Sequence, residues 1–252
     1  MMWHPDWAGV LSGPPLAWIG TGFVTTLLVT LAGSLLATVI MLLLLALRMM
    51  PGRAGRLLVA GWVSLFRNTP LLVQLFFWYF AAWSALPIGW RDYLVDDHRW
   101  AMLPGNVPWL TPEFLCAAWG LGMFSAAYLL EELQAGLNAL PAGQREAAIA
   151  QGFSRLAMLR YILLPQGVRN AWQPMVGQYL NLMKLSSLAS AIGFSELTYY
   201  ISQIESYNAH ALEGFAVGTV LYLLLGLAMG AALLRLGPRP PGRRRREASH
   251  EF

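Results

Sequence analysis

Residues 19–47 contain no charged side chain. As an α-helix this stretch would reach about 40 Å, enough to cross a hydrocarbon core of about 30 Å with tilt or overhang. Met49, Met50, Pro51 and Gly52 end it. A shorter apolar stretch at 57–66, interrupted by Arg67, Asn68, Thr69 and Pro70, reads as an entry helix near the surface or as part of one long kinked helix with the residues that follow. Pro70 suits a first helical turn, with Asn68 or Thr69 available as a cap. Further apolar blocks occupy residues 71–90, 114–130, about 171–194 and about 215–236. The fourth is the least clear, because it contains Asn181 and Lys184. Composition agrees with a bilayer as solvent. The chain is 57% hydrophobic and 12% charged, against about 25% charged in a soluble domain. Eleven Trp and nine Tyr suit interfacial belts, where amphipathic rings settle. The expected fold class is therefore an all-α integral membrane protein with about five transmembrane helices.

The segments joining these blocks alternate in charge. Arg48, Arg53 and Arg56 follow the first block, and Arg145, Arg155, Arg160 and Arg169 lie between the third and fourth. Arg235, Arg239 and the arginines at 243–246 follow the fifth. The N-terminal segment 1–18 has no Lys or Arg, and the segment after the fourth block has Glu196, Glu205 and Glu213 without a basic residue. Residues 91–113 are net acidic, with Arg91 and Arg99 against Asp92, Asp96, Asp97 and Glu113. The positive-inside rule then puts the N-terminus outside and the C-terminus in the cytoplasm. The domain reading follows: an outer segment 1–18, a transmembrane domain 19–236 with a cytoplasmic loop 141–165, and a basic tail 237–252. That tail reads as a disordered extension lying on anionic lipid, or as a stop-transfer anchor. The pI near 9.5 reflects this topology rather than nucleic-acid binding. Cys116 is the only cysteine, so neither an intrachain disulfide nor a thiolate metal cluster is expected. Without a basic n-region, a cleavable signal peptide is not expected either.

The loop between the third and fourth blocks is too long for a simple connector. It reads LNALPAGQREAAIAQGFSRLAMLRYILLPQGVRN. Pro141 and Gly143 break the preceding helix, strong helix formers occupy 146–151, and Gly152 interrupts. Phe153, Leu156, Leu159 and Leu163 then recur at helical spacing, with Arg155 and Arg160 turned away. Ser154 is a candidate cap, and Pro165 marks an end or a kink. The spacing predicts two short helices meeting at a glycine. Ala147, Ala148 and Ala150 would let another surface approach the first. Periodicity alone equally allows an amphipathic helix lying flat on the bilayer.

Glu146, Ala147, Ala148, Gly152, Ile162, Leu164 and Pro165 form the pattern Glu-Ala-Ala, three residues, Gly, nine residues, Ile-x-Leu-Pro. This resembles the signature loop of ABC importer permeases. LFRNTPLLVQLFFWYF at 65–80 resembles the second-span motif of the polar amino-acid branch of that family. AAYLLEELQAGLNALPAGQREAA resembles the approach to its loop, and NLMKLSSLASAIGFSEL its fourth-span motif. Within the branch, Phe-Arg-Asn-Thr-Pro followed by Phe-Phe-Trp-Tyr is most similar to glutamate/aspartate importers. Two positions depart from the pattern. Gln134 stands where the family usually has Arg, and Leu185 where it usually has a polar residue.

The resemblance implies a type I importer permease in a bacterial inner membrane, coupled through 146–165 to a separate ATPase. It implies two ATPase subunits, a second permease of similar fold and a periplasmic substrate-binding protein. No cofactor is expected in this chain. A P-loop needs Gly-Lys-Ser/Thr, and Lys184, the only lysine, follows Met183. Polar residues in spans are costly and usually serve a pathway or a contact. Arg67, Asn68, Gln74, Asn181, Lys184, Ser186 and Ser187 are the pathway candidates. Alternatives stand beside several of them: an interface anchor for Arg67, snorkelling for Lys184 and interhelical hydrogen bonds for Ser186 and Ser187. Glu131 is read as support for the loop. The rival classes are a channel, a secondary transporter and a membrane-embedded enzyme. The last lacks a constellation: His250-Glu251 runs into the chain end, while His4, His98 and His210 fall in outer segments. No catalytic or metal-ligating residue is expected.

Overall fold

The computed structural model describes residues 6–50, 52–95, 102–103, 107–108 and 110–238. His4, Asp96, Asp97, His98, Arg99, Arg239, the arginines at 243–246 and His250-Glu251 lie outside the described residues, as does nearly all of the tail. The elements in order are α1 (Ala8–Leu11), α2 (Gly13–Met49), α3 (Ala54–Asn68) and α4 (Leu71–Phe76). A π-helical stretch (Phe77–Ala82) continues α4, and α5 (Ile88–Val95) follows. A minimal antiparallel pairing joins β1 (Met102–Leu103) to β2 (Val107–Pro108). Then come α6 (Pro112–Asn138), α7 (Ala142–Ala150), α8 (Arg155–Met158), a π-turn (Leu159–Leu163) and α9 (Leu164–Leu185). A 3-10 segment (Ser186–Ile192), α10 (Leu197–Asn208) and α11 (Ala211–Leu236) complete the described chain.

Among the described residues, α2, α6 and α11 are long and apolar enough to cross a membrane. Their surroundings differ. The apolar window of α6 is 72% buried within the chain, that of α11 only 17%. α6 is thus a central packing element, while α11 leaves Leu223, Leu224 and Leu227 open, as suits a face turned to lipid.

The helix boundaries correct the sequence reading at four places. The block 71–90 is not one helix. It stops at Ala82, and a turn leads to Pro87, whose ring and missing N–H disfavour continuation. Neither Asn68 nor Thr69 caps α4 through its side chain; both bond back into α3, to Ser64 and Leu65. The block 171–194 is α9 followed by the 3-10 segment, closed by Gly193 at φ +85°. Pro165 ends nothing, because α9 runs through it. The carbonyl that its ring would strike, that of Tyr161, lies inside the π-turn, where the ladder is already widened.

The chain divides into two compact units. One comprises Met1–Leu130 with Gln178–Met229, the other Glu131–Gly177 with Gly230–Phe252. In the first, Phe66, Met123 and Ala127 form an apolar cluster lined by Ile40, Trp62, Val63 and Trp78. A second cluster joins Val10 and Ile19 to Leu197, Ile201 and Ile204. Gly22 permits the close approach of α2 to α10 there: a Cβ on it would meet the Leu197 Cα at 2.9 Å. In the second unit, Asn170 Nδ2 donates to the Gly136 carbonyl at 3.3 Å. Trp172 Nε1 donates to Leu233 O at 3.1 Å, satisfying a carbonyl in the last turn of α11.

Candidate functional site

The second unit presents the signature loop as two helical pieces turning at Gly152. α7 begins after Pro141, where the Gln144 N–H reaches the Pro141 carbonyl at 3.1 Å. It ends in a Schellman motif. Phe153 N–H donates to Ala148 O at 3.1 Å and Gly152 N–H to Ile149 O at 2.9 Å, with Gly152 at φ +78°. The space around Gly152 is open to 4 Å, so its requirement is purely conformational. Ser154 caps α8, its hydroxyl accepting from Ala157 N–H at 3.3 Å.

Within α7 only Ala148 is buried. Glu146 and Ala147 are exposed, Gly152 and Pro165 likewise, and Ile162 and Leu164 are half-buried. Three large apolar side chains that periodicity assigned no outward role also stand open: Ile149, Leu156 and Tyr161, each at least 65% exposed. Helical spacing could have separated Ile149 from Ala148. Leu156, however, reads as core from sequence and is not. Arg160 lies over the Tyr161 ring at 5.5 Å. Glu131 is half-buried in α6.

The pathway candidates fall into three local settings. Arg67 and Asn68 end α3, where they line a cavity of about 330 Å³ with Tyr128 and Phe124, and the Arg67 guanidinium lies 5.5 Å from the Tyr128 ring centroid. Gln74 is buried and clasps the break between α3 and α4. Its Nε2 donates to Phe66 O at 3.2 Å, Thr69 O at 3.1 Å and Thr69 Oγ1 at 2.7 Å. Asn181 and Lys184 share one exposed face of α9. Ser186 and Ser187 instead serve the backbone, donating to Met183 O and Lys184 O at 2.7 and 2.8 Å where the α-helix tightens to 3-10. Within the second unit, Gln166, Arg169, Asn170 and Gln173 lie at spacings that keep them on one side of α9.

Glu196, which sequence reasoning counted only as a loop charge, is fully buried. It caps α10, accepting from Thr198 N–H at 3.0 Å and Tyr199 N–H at 2.9 Å, and it accepts from Tyr222 Oη at 2.7 Å. Burial pushes its carboxyl above the usual range, while those hydrogen bonds pull the other way. Its neighbours tie α10 to α2: Leu197 N–H donates to Thr26 Oγ1 at 3.0 Å, and Thr25 Oγ1 to Ser195 O at 2.7 Å. Glutamate is not among the usual capping residues, so only tertiary context reveals this role. No group of three or more His, Cys, Asp or Glu positioned to hold a metal ion occurs among the described residues.

Comparison with known proteins bears on both regions. The family model described as the binding-protein-dependent transport system inner membrane component matches residues 30–240. The glutamate/aspartate import permease protein GltJ of Escherichia coli (strain K12) is 35% identical over 213 residues, covering 83% of this chain and 82% of that protein. The glutamine transport system permease protein GlnP of the same strain is 30% identical over 234 residues, covering 93% and 97%. A solved amino acid ABC transporter with histidines superposes with a TM-score of 0.73 at 23% identity, over 93% of this chain and 98% of that one. An inward-facing MetNI methionine ABC transporter gives 0.60 at 18% identity, over 90% and 100%. These last two concern the fold alone. With a family match over most of its length, the chain belongs to the inner membrane components of binding-protein-dependent transport systems.

Proposed function

We propose that this permease is one half of the pathway of an ATP-driven importer for an acidic or other polar amino acid, and that a separate ATPase seats on α7. The observation carrying the reading is the state of α7. It is held at both ends, buries only Ala148 and leaves Glu146, Ala147 and Ile149 open beside Leu156 and Tyr161. A nine-residue helix with so little burial is marginal alone, and open apolar side chains of that size suit a protein contact. The lack of a Gly-Lys-Ser/Thr run in this sequence supports ATP being handled by a partner. Two ATPases, a second permease and an external binding protein complete the assembly. ATP-driven closure would rock the permease halves as rigid bodies.

Five crossings, with the N-terminus outside and the C-terminus in the cytoplasm, fit the charge alternation. α2, α6 and α11 supply three, α3 with α4 and its π-helical continuation a fourth, and α9 with its 3-10 extension a fifth. The substrate class rests on the names of the relatives, glutamate/aspartate and glutamine. Exposed Asn181 and Lys184 suit passage of a carboxylate. Arg67 and Asn68 form a second polar station, whereas Gln74, Ser186 and Ser187 act mainly on backbone. Uptake of labelled glutamate, aspartate and glutamine by the reconstituted assembly tests the reading, with Glu146→Lys losing ATPase and uptake together. Transport by the permease without any ATPase would identify a channel or secondary transporter instead.

A further inference from the structure

Beside α7 the second unit holds a cavity of about 480 Å³ that the coupling role does not use. Gln166, Arg169, Asn170 and Gln173 of α9 form its polar wall, and Leu140 and Leu234 contribute apolar surface. The volume falls within the range of small-molecule sites. Among the described residues, Arg169 carries the only charge in the lining, and no carboxylate lines the cavity beside it. Arg169 makes no ion pair among the described residues. Its planar fork matches a carboxylate in a bidentate way that an ammonium group could not. The amide oxygen of Gln173 can receive an ammonium group.

This wall is connected to the coupling helix. Gln166 Nε2 donates to Gln144 Oε1 at 3.3 Å and to its own helix at Ile162 O at 2.8 Å. Gln144 stands two positions before Glu146 in α7. The bond is long and exposed, so a ligand offering a better acceptor in the cavity would draw the Gln166 amide away from α7. We propose that the cavity is a product site on the ATPase side of the permease. It takes a free amino acid through its carboxylate on Arg169 and reports occupancy to α7 through Gln166. This rests on the importer reading above and adds a regulatory role to the second unit.

The test uses the complete transporter with its ATPase in proteoliposomes. L-glutamate, glutarate or inorganic phosphate is placed at millimolar concentration on the ATPase side. The readout is each variant's ATPase rate with the probe divided by its rate without. For the wild type, L-glutamate should lower the rate at least threefold, glutarate should act more weakly and phosphate should have no effect. Arg169→Gln should bring the ratio to one. Gln166→Leu should also bring it to one while L-glutamate still binds by calorimetry, which separates sensing from binding. Repeating the series with phosphatidylglycerol exchanged for phosphatidylcholine identifies a lipid headgroup as occupant. The proposal is overturned by an unchanged wild-type ratio in a transporter that imports normally, by an Arg169→Gln ratio equal to wild type, or by a response that follows the lipid and not L-glutamate. Absence of import by the wild type would instead count against the importer reading itself.

Discussion

α7 and α10 are both short, both start after an interrupted helix and both end at a residue with positive φ, Gly152 and Ala209. They differ in what holds them. α10 buries Leu197, Ile201 and Ile204 and is capped by the buried Glu196. Each such aliphatic side chain contributes roughly 1.5–3 kcal/mol on burial, so α10 is fixed by its own chain. α7 buries Ala148 alone and depends on its two end structures and one long hydrogen bond, donated by Gln166 Nε2 to Gln144 Oε1. A helix built into the protein can stiffen it. A helix built mainly to be held by something else can transmit a push from a partner.

The sharpest break of that comparison is Glu146→Lys. We expect it to reduce ATPase retention on the purified permease by at least about tenfold, as loss of an interface hot spot does, with thermal unfolding shifted by less than about 0.5 kcal/mol. Retained ATPase would mean that α7 is not the held helix. Glu196→Ala should do the reverse. It strips two amides and the Tyr222 hydroxyl of their acceptor, at a cost of roughly 2–3 kcal/mol in unfolding measurements, while ATPase retention per folded molecule stays at the wild-type level. Gly22→Ala forces α2 and α10 apart and should cost about 1–3 kcal/mol; an unchanged melting curve would show that this approach is soft. Gly152→Ala meets no neighbour and should cost only about 1 kcal/mol, the penalty for a left-handed backbone. Smallest of all, Ser154→Ala should cost about 0.5–1 kcal/mol through its lost cap, visible as faster amide exchange at Ala157.

The signals that were legible in the sequence are those governed by neighbours in the chain. Gly152 as a break, Ser154 as a cap and the interruption at residues 67–70 all follow from backbone preferences that act over a few residues. What escaped depends on partners far along the chain or on helix geometry. Glu196 reads as a solvated loop charge until Tyr222, 26 positions away, is brought to it. Gln74 reads as a pathway residue, and the contacts of its Nε2 with Phe66 O and Thr69 Oγ1 emerge only once α3 and α4 are folded against each other. Pro165 reads as an end or a kink because the rule against proline assumes an undistorted ladder. The end at Ala82 of the π-helical stretch that continues α4 is obscured by an apolar run through Ala85 and Leu86, which hydropathy alone cannot divide.

The π-turn at Leu159–Leu163 carries one further implication. A π-turn holds one residue more than an α-turn, and one residue corresponds to about 100° of rotation and 1.5 Å of rise. The stretch acts as a phase shifter between α8 and α9. It sets the azimuth at which Gln166, Arg169 and Gln173 emerge relative to the exposed Leu156. Deleting a single residue from the turn would leave both helices intact and rotate the polar face of α9 by more than a quarter of a revolution.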